Sequence, residues 1–241
     1  MKMTLLASLL SIGLGTSFAA TTSELELSNA AGSVTCTIAA SGNTGTGGGC
    51  AGITGTTSVG PSGIAITFGT FTNGSTVWSI NVVEGVSNTP GTDPGIDVSS
   101  ETAVCKSGCT ANTALDIYFS DIGFTGSGSS FTNGFSATDT GSGTAAQKAW
   151  VSSTDTLMAQ TSSIGEVGPF SGAGTFQGSV SGGSATVPYS MTLEQIFTTD
   201  AQNDTFSVDG NIAGTPEPAA LILFGTVLAF CSSKLSRRRK S

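Results

Sequence analysis

Sixteen acidic residues and two lysines carry the charge between residues 20 and 217, a stretch without histidine. Without histidine, the commonest general base, the Ser-His and Cys-His nucleophile systems and most zinc sites are missing. A Ser-Lys pair needs a lysine beside a serine. Lys106 adjoins Ser107, but between Cys105 and Cys109 in an expected tight loop, and Lys148 precedes Trp150 on an expected strand. Both lysines read as solubilising charges. Paired carboxylates remain, the groups that glycoside hydrolysis uses. Asp116 and Asp121 flank one expected strand, yet five positions apart puts them on opposite faces. Asp93, Asp97 and Glu101 fall in a Pro/Gly turn region, and Asp200, Asn203 and Asp204 in a second loop. Loop oxygens of this kind can hold Ca2+, but neither cluster has the EF-hand spacing, and both read as solvated turn residues. No other metal or cofactor is expected. Trp78, Trp150, Tyr118 and Tyr189 offer a sugar-stacking platform, although aromatics on alternating strands are more often core. The chain is therefore expected not to be an enzyme. The alternative is a carbohydrate-binding or carbohydrate-active secreted protein using Asp/Glu pairs.

The charge narrows the partners. Sixteen acids against Lys106 and Lys148 give residues 20–217 a formal charge of −14, with no arginine. Nucleic-acid binding requires Lys and Arg to displace counterions, so it is excluded, and binding to an anionic lipid surface is disfavoured. Five cysteines are present, of which Cys231 stands alone near the C-terminus. Cys36, Cys50, Cys105 and Cys109 permit three disulfide pairings in an oxidising compartment. Proximity in the chain favours Cys36–Cys50 and Cys105–Cys109. An exported thiol pair ordinarily oxidises, which argues against a metal site at Cys105-x-x-x-Cys109.

The elements that would carry these groups are strands. Thr, Val, Ile and aromatic residues alternate with small polar ones in Ser33–Ile38, Gly63–Phe71, Val77–Val83, Leu115–Asp121, Phe176–Val180, Thr186–Phe197 and Thr205–Ile212. A period of two marks half-buried strands. Asn73-Gly74, Pro90-Gly91, Pro94-Gly95, Asn133-Gly134 and Asp209-Gly210 carry turn chemistry. No convincing helical period occurs; Glu194-Gln195-Ile196-Phe197 is too short. The expectation is an all-β, antiparallel β-sandwich-like single domain over residues 20–214. Residues 41–63 and 138–146, rich in Gly, Ser and Thr, read as flexible ground. Phe-Thr-Asn-Gly occurs at 71–74 and again at 131–134, a weak sign of duplicated halves.

Two apolar segments lie outside that domain. Lys2, the run from Met3 to Phe18 and the small residues Ser17 and Ala19 read as a secretory signal peptide over residues 1–19. At the other end, Pro216-Glu217-Pro218 precede an uncharged run, and Lys234, Arg237, Arg238, Arg239 and Lys240 follow it. A helix from Ala219 to Ser233 would cover about 22 Å, short of a ~30 Å hydrocarbon core unless the bilayer thins or the basic side chains snorkel. The basic cluster keeps that end cytoplasmic and the body outside. Pro216 and Pro218 place the helix start after them.

These features together resemble the PEP-CTERM sorting signal of bacterial envelope proteins, with residues 215–241 forming motif, transmembrane helix and basic tail. The resemblance implies recognition and cleavage of Pro216-Glu217-Pro218 by an exosortase-type membrane enzyme, with the helix anchoring the chain in the inner membrane beforehand. It also implies a secreted or cell-envelope location in a Gram-negative, exopolysaccharide-making bacterium, and a structural or adhesive role with that exopolysaccharide. Phrases such as Ile117-Tyr118-Phe119-Ser120-Asp121-Ile122-Gly123-Phe124-Thr125 and Pro188-Tyr189-Ser190-Met191-Thr192-Leu193 also look like the bodies of such surface proteins. They carry no catalytic residue. An ordinary C-terminal membrane anchor is the other reading of the tail.

Overall fold

Alternation of apolar and polar residues gives strands that bury one face each, and strands of this kind must pair and then stack. A computed structural model describes residues 22–39, 53–60, 63–80, 82–87, 94–126, 128 and 130–214. Among them run β1 (Thr22–Asn29), β2 (Gly32–Ala39), β3 (Ile53–Gly60), β4 (Gly63–Asn73), β5 (Thr76–Ile80), β6 (Val82–Ser87) and β7 (Gly95–Ser107). They are followed by β8 (Thr113–Phe124), β9 (Phe131–Asp139), β10 (Thr144–Ser152), β11 (Ser162–Ser171), β12 (Gly174–Gly182), β13 (Tyr189–Thr199) and β14 (Thr205–Gly214). The fold is all-β, and every strand pairing is antiparallel. One sheet runs β11-β10-β13-β8-β1-β2; the other runs β12-β9-β14-β7-β5-β4-β3, with β6 pairing β4 and β7. The two stack as a sandwich around one core that reaches from Leu25 to Ile212.

Strand β8 shows how sequence sets the faces. Leu115, Ile117 and Phe119 are fully buried between the sheets, while Asp116 and Tyr118 turn to the outer side. Large aromatics fill the interior. Tyr189 stacks on Phe124 at 5.6 Å and meets Phe131 edge-on at 5.5 Å, and Phe206 touches both Trp78 and Phe197. Burial pushes the Tyr189 hydroxyl up to about 12. Amide side chains tie the layers together. Gln147 on β10 donates to Asn133 Oδ1 and to the Gly134 carbonyl of β9, and Gln195 on β13 donates to the Val98 carbonyl of β7 at 2.8 Å.

The structure revises several local expectations. Val77–Val83 is divided between β5 and β6. Asn133-Gly134 and Asp209-Gly210 lie inside β9 and β14, because Asn133 Nδ2 reaches the Gly165 carbonyl at 3.0 Å and Gly210 makes room for Gln147. Asn133 and Gly210 serve close approach between layers, whereas Asn73-Gly74 does form the β4–β5 turn, with Gly74 at φ +65°. β3 falls within the Gly/Ser/Thr-rich stretch read as flexible, and β7 occupies the stretch read as turns around Asp97. The paired registers of β3 with β4 and of β7 with β14 supply what local composition lacks.

A bridge joins Cys105 to Cys109, with Cα atoms 6.1 Å apart, as proximity predicted. The proposed Cys36–Cys50 pairing, the signal peptide and the whole tail, with Pro216, Glu217, Pro218, Arg237, Arg238, Arg239 and Lys240, lie outside the described residues. No helix among the described residues is long and apolar enough to cross a membrane.

Candidate functional site

Register brings four charged residues and one tyrosine, from five strands, into one row across the outer face of the six-stranded sheet. Lys148 on β10 lies opposite Glu166 on β11 and Glu194 on β13; Glu194 lies opposite Tyr118 on β8, and Tyr118 opposite Glu26 on β1. The Tyr118 hydroxyl donates to Glu194 Oε1, and Lys148 Nζ stands 3.8 Å from Glu194 Oε2. Burial, then the Glu194 hydrogen bond and charge, and then Asp116 and Glu26 all hold the Tyr118 proton in place. Asp116 occupies the next row, opposite Ser28. Burial pushes its carboxyl up to about 6, helped by the Glu194 charge and opposed by Lys148 and by the Ser28 hydroxyl. The row on the other side holds Trp150, Thr192 and Ser120, and residues 153–161 lie over it. Met158 N donates to Ser120 Oγ at 3.0 Å, and Thr192 Oγ1 donates to the Ala159 carbonyl at 3.2 Å.

The carboxylates brought together here are Asp116 and Glu194, on neighbouring strands, rather than Asp116 and Asp121. Asp121 is fully buried on the opposite face, as a spacing of five dictates. Chemically, Asp116 keeps its proton into mild acid beside an acceptor carboxylate. Sequence reasoning passed over Glu194 because its neighbours were tested for helical period; only cross-strand register reveals it.

The outer face of the eight-stranded sheet has a different character. Strands β12, β9 and β14 form a trough of ≈ 450 Å³, open to solvent, with Gln177, Ser179, Ser136, Asp209 and Asn211 along its walls. Gly134 forms its floor, opposite Ser179 on one side and Asn211 on the other. A Cβ there would come within 2.5 Å of Asn211 Oδ1, so a bare glycine keeps the trough open. Beyond each end the hydroxyls bond one another across strands, Thr132 with Ser181 at 3.0 Å and Thr138 with Thr175 at 3.2 Å. Within the trough, the five polar side chains make no hydrogen bond to other described residues. They present amide donors and acceptors, hydroxyls and one carboxylate to whatever enters. The sequence marked Asp209 only as turn chemistry and the other four not at all, because alternating polar residues look alike on any solvated strand face.

The remaining expected sites disperse. Trp78 and Tyr189 are fully buried, so the four-residue aromatic platform does not form; Tyr118 and Trp150 share the outer face of the six-stranded sheet. Asp97 is on β7, and Asp93 lies outside the described residues. Asp200 and Asn203 are exposed in the β13–β14 loop, but Asp204 is buried. No group of three or more His, Cys, Asp or Glu among the described residues is arranged to hold a metal ion. Lys106 is exposed beside the Cys105–Cys109 bridge.

No family model matches the chain, and no curated protein does. Among solved structures, it is similar to the enzymatically active domain of tailspike protein 4 of bacteriophage CBA120, at 13% identity and a TM-score of 0.31, over 54% of this chain and 18% of that one. The carbohydrate-binding module TmCBM61 in complex with beta-1,4-galactotriose is similar at 10% identity and a TM-score of 0.32, over 58% of this chain and 88% of the module. The K3 cleaved adhesin domain of Lys-gingipain from Porphyromonas gingivalis w83 is similar at 14% identity and a TM-score of 0.31, over 50% of this chain and 74% of the domain.

Proposed function

We propose that the protein is an exported, non-enzymatic saccharide-binding β-sandwich of the cell envelope, and that the trough on β12, β9 and β14 is its binding surface. The observation that supports this most directly is the set of five side chains, Ser136, Gln177, Ser179, Asp209 and Asn211, open to solvent and unpaired with other described residues. Saccharide hydroxyls are both donors and acceptors, and a surface of hydroxyl, amide and carboxylate groups satisfies both roles. The trough volume is in the range of small-ligand sites, but its openness suits a segment of a longer polymer better than a buried monosaccharide. Affinity electrophoresis through gels containing the exopolysaccharide of the source cells tests the reading. Retardation that is lost in Asp209→Ala and Asn211→Ala supports it; unretarded migration through that polysaccharide overturns it.

The tail supplies the delivery part of the proposal. Pro216-Glu217-Pro218, the apolar run and Arg237, Arg238, Arg239 and Lys240 would hold the chain in the inner membrane until an exosortase-type enzyme processes it. The intact mass of the protein from its native envelope is the measurement. A C-terminus near Thr215 supports sorting, and a tail intact to Ser241 leaves an ordinary anchor.

A second reading rests on Asp116, whose carboxyl is pushed up to about 6 beside Glu194. Such a pair suits general acid chemistry on a glycosidic bond. Release of reducing ends from polysaccharide, abolished by Asp116→Asn, would replace the binding-only reading.

A further inference from the structure

Three inward-facing polar residues close one end of the sandwich: Asp139 at the end of β9, Thr199 at the end of β13 and Asp204 just before β14. All are buried, Asp139 at 3% exposure and Asp204 at 6%. The two carboxylates converge on Gly141 in the β9–β10 turn. Gly141 N donates to Asp139 Oδ1 at 2.8 Å, and Asp204 Oδ1 sits where a side chain on Gly141 would begin, 1.7 Å from an ideal Cβ. Thr199 Oγ1 lies 2.6 Å from Asp204 Oδ2 and 2.7 Å from the Ala201 carbonyl. Its single hydroxyl proton can serve only one of them at a time. Asp139 Oδ2 is fully buried and has no hydrogen-bond partner. Among the described residues, neither Lys106 nor Lys148 forms an ion pair with either carboxylate; Lys148 pairs with Glu194 instead. Burial holds the Asp139 carboxyl above its usual range, opposed by the backbone amides of Gly141, Thr140 and Gly143, while the Asp204 charge raises it further.

Two buried carboxylates beside the same turn, close enough for one charge to act on the other and without a cation, are costly, and proteins resolve this by sharing a proton or by binding a metal. Four carboxylate oxygens, a hydroxyl and a backbone carbonyl form an all-oxygen donor set. Hard divalent cations take that set, and Ca2+ accepts it in irregular geometry where Mg2+ demands a near-octahedron. We propose that Asp139 and Asp204, with Thr199 Oγ1 and the Ala201 carbonyl, form a Ca2+ site that pins the β9–β10 and β13–β14 turns together. This site was not legible in the sequence, which grouped Asp204 with Asp200 and Asn203, its chain neighbours. The partner that matters is Asp139, 65 positions away in number but adjacent in space. The proposal is independent of the saccharide reading.

The test uses the full chain, with Ca2+ alone as the probe. Thermal unfolding in EGTA is compared with unfolding in ~10 mM CaCl2 and ~10 mM MgCl2. For an extracellular-type affinity, the Ca2+ site raises Tm by about 3–10 °C, with a smaller effect from Mg2+. Asp139→Asn and Asp204→Asn each abolish the rise. Where a variant does not fold, carboxyl-carbon NMR of the wild-type chain decides, since the Asp139 and Asp204 signals must move on Ca2+ titration. An unchanged Tm in CaCl2 overturns the site in favour of a shared proton. So does a Tm rise that persists in both variants, or a titration that leaves both carboxyl signals in place.

Discussion

Glu194 accepts the Tyr118 hydroxyl on one oxygen while the other stands 3.8 Å from Lys148 Nζ. These two contacts differ in kind. The Lys148 side chain is 37% exposed, and 3.8 Å is close to the limit of an ion pair. Exposed pairs of this geometry contribute about 0–1 kcal/mol, whereas a hydrogen bond to a buried charged group contributes about 1.5–3 kcal/mol. Tyr118→Phe is therefore expected to cost more stability than Lys148→Gln. Urea unfolding of both variants measures the order, and a larger loss for Lys148→Gln would show that its charge, not the phenol, holds Glu194.

Asp116 should make stability depend on pH in a predictable direction. Its carboxyl titrates at about 6 in the fold against an ordinary 3.8, so the folded chain holds the proton more tightly than the unfolded chain. The stabilisation from that proton is complete below about 4 and is lost as pH rises through about 6. Asp116→Asn removes the titration. Relative to wild type, the variant should gain stability between pH 4 and 7 and show no further gain above. The same carboxyl followed by NMR should titrate lower in Glu194→Gln and higher in Lys148→Gln or Ser28→Ala, since the first removes a repelling charge and the others remove groups that favour ionisation. A midpoint near 4 in the wild type would refute the assignment of Asp116 to a desolvated position.

The strand faces were legible where local alternation was strong. Leu115-Asp116-Ile117-Tyr118-Phe119 announces both its strand and its inward side, and β8 follows it. Residues 53–60, Ile-Thr-Gly-Thr-Thr-Ser-Val-Gly, carry little apolar area, so β3 depends on pairing with β4, a tertiary fact that composition does not hold. The candidate sites were less legible still. Glu194 gains its meaning from Tyr118, 76 positions earlier, and the trough depends on β9 lying between β12 and β14. Turn chemistry misled at Asn133-Gly134 and Asp209-Gly210 because a glycine also serves where a strand needs no side chain, for close approach between layers at Gly210 and for an open trough floor at Gly134.

Gly210 gives that second role a measurable cost. A Cβ there would lie 1.6 Å from Gln147 Oε1, in a side chain held by its bonds to Asn133 and to the Gly134 carbonyl. Gly210→Ala must displace Gln147 and break those interlayer bonds, a loss of about 1–3 kcal/mol. Gln147→Ala frees the space but leaves Asn133 without one of its partners. The double variant should then be more stable than the sum of the single losses predicts, as expected for neighbours sharing one contact. Strict additivity in denaturant unfolding would show that Gly210 is not read by Gln147.

Gly134 separates binding from folding more cleanly. It lies on the outer face of β9, and the atom its Cβ would approach is Asn211 Oδ1, the end of an exposed side chain that can swing away. Gly134→Val thus adds a β-branched residue to a strand at little steric cost to the core, with stability held or slightly raised. In the trough, however, it replaces the bare floor with an isopropyl group between Ser179 and Asn211. If saccharide lies there, affinity should fall at least tenfold while Tm stays within about 3 °C of wild type, a shift equivalent to less than ~1.5 kcal/mol. Thr175→Val, on the same face but beyond the trough, is the control and should leave affinity unchanged. Retained affinity in Gly134→Val would move the binding surface away from β12, β9 and β14, toward the row that Tyr118, Glu194 and Lys148 form on the opposite sheet.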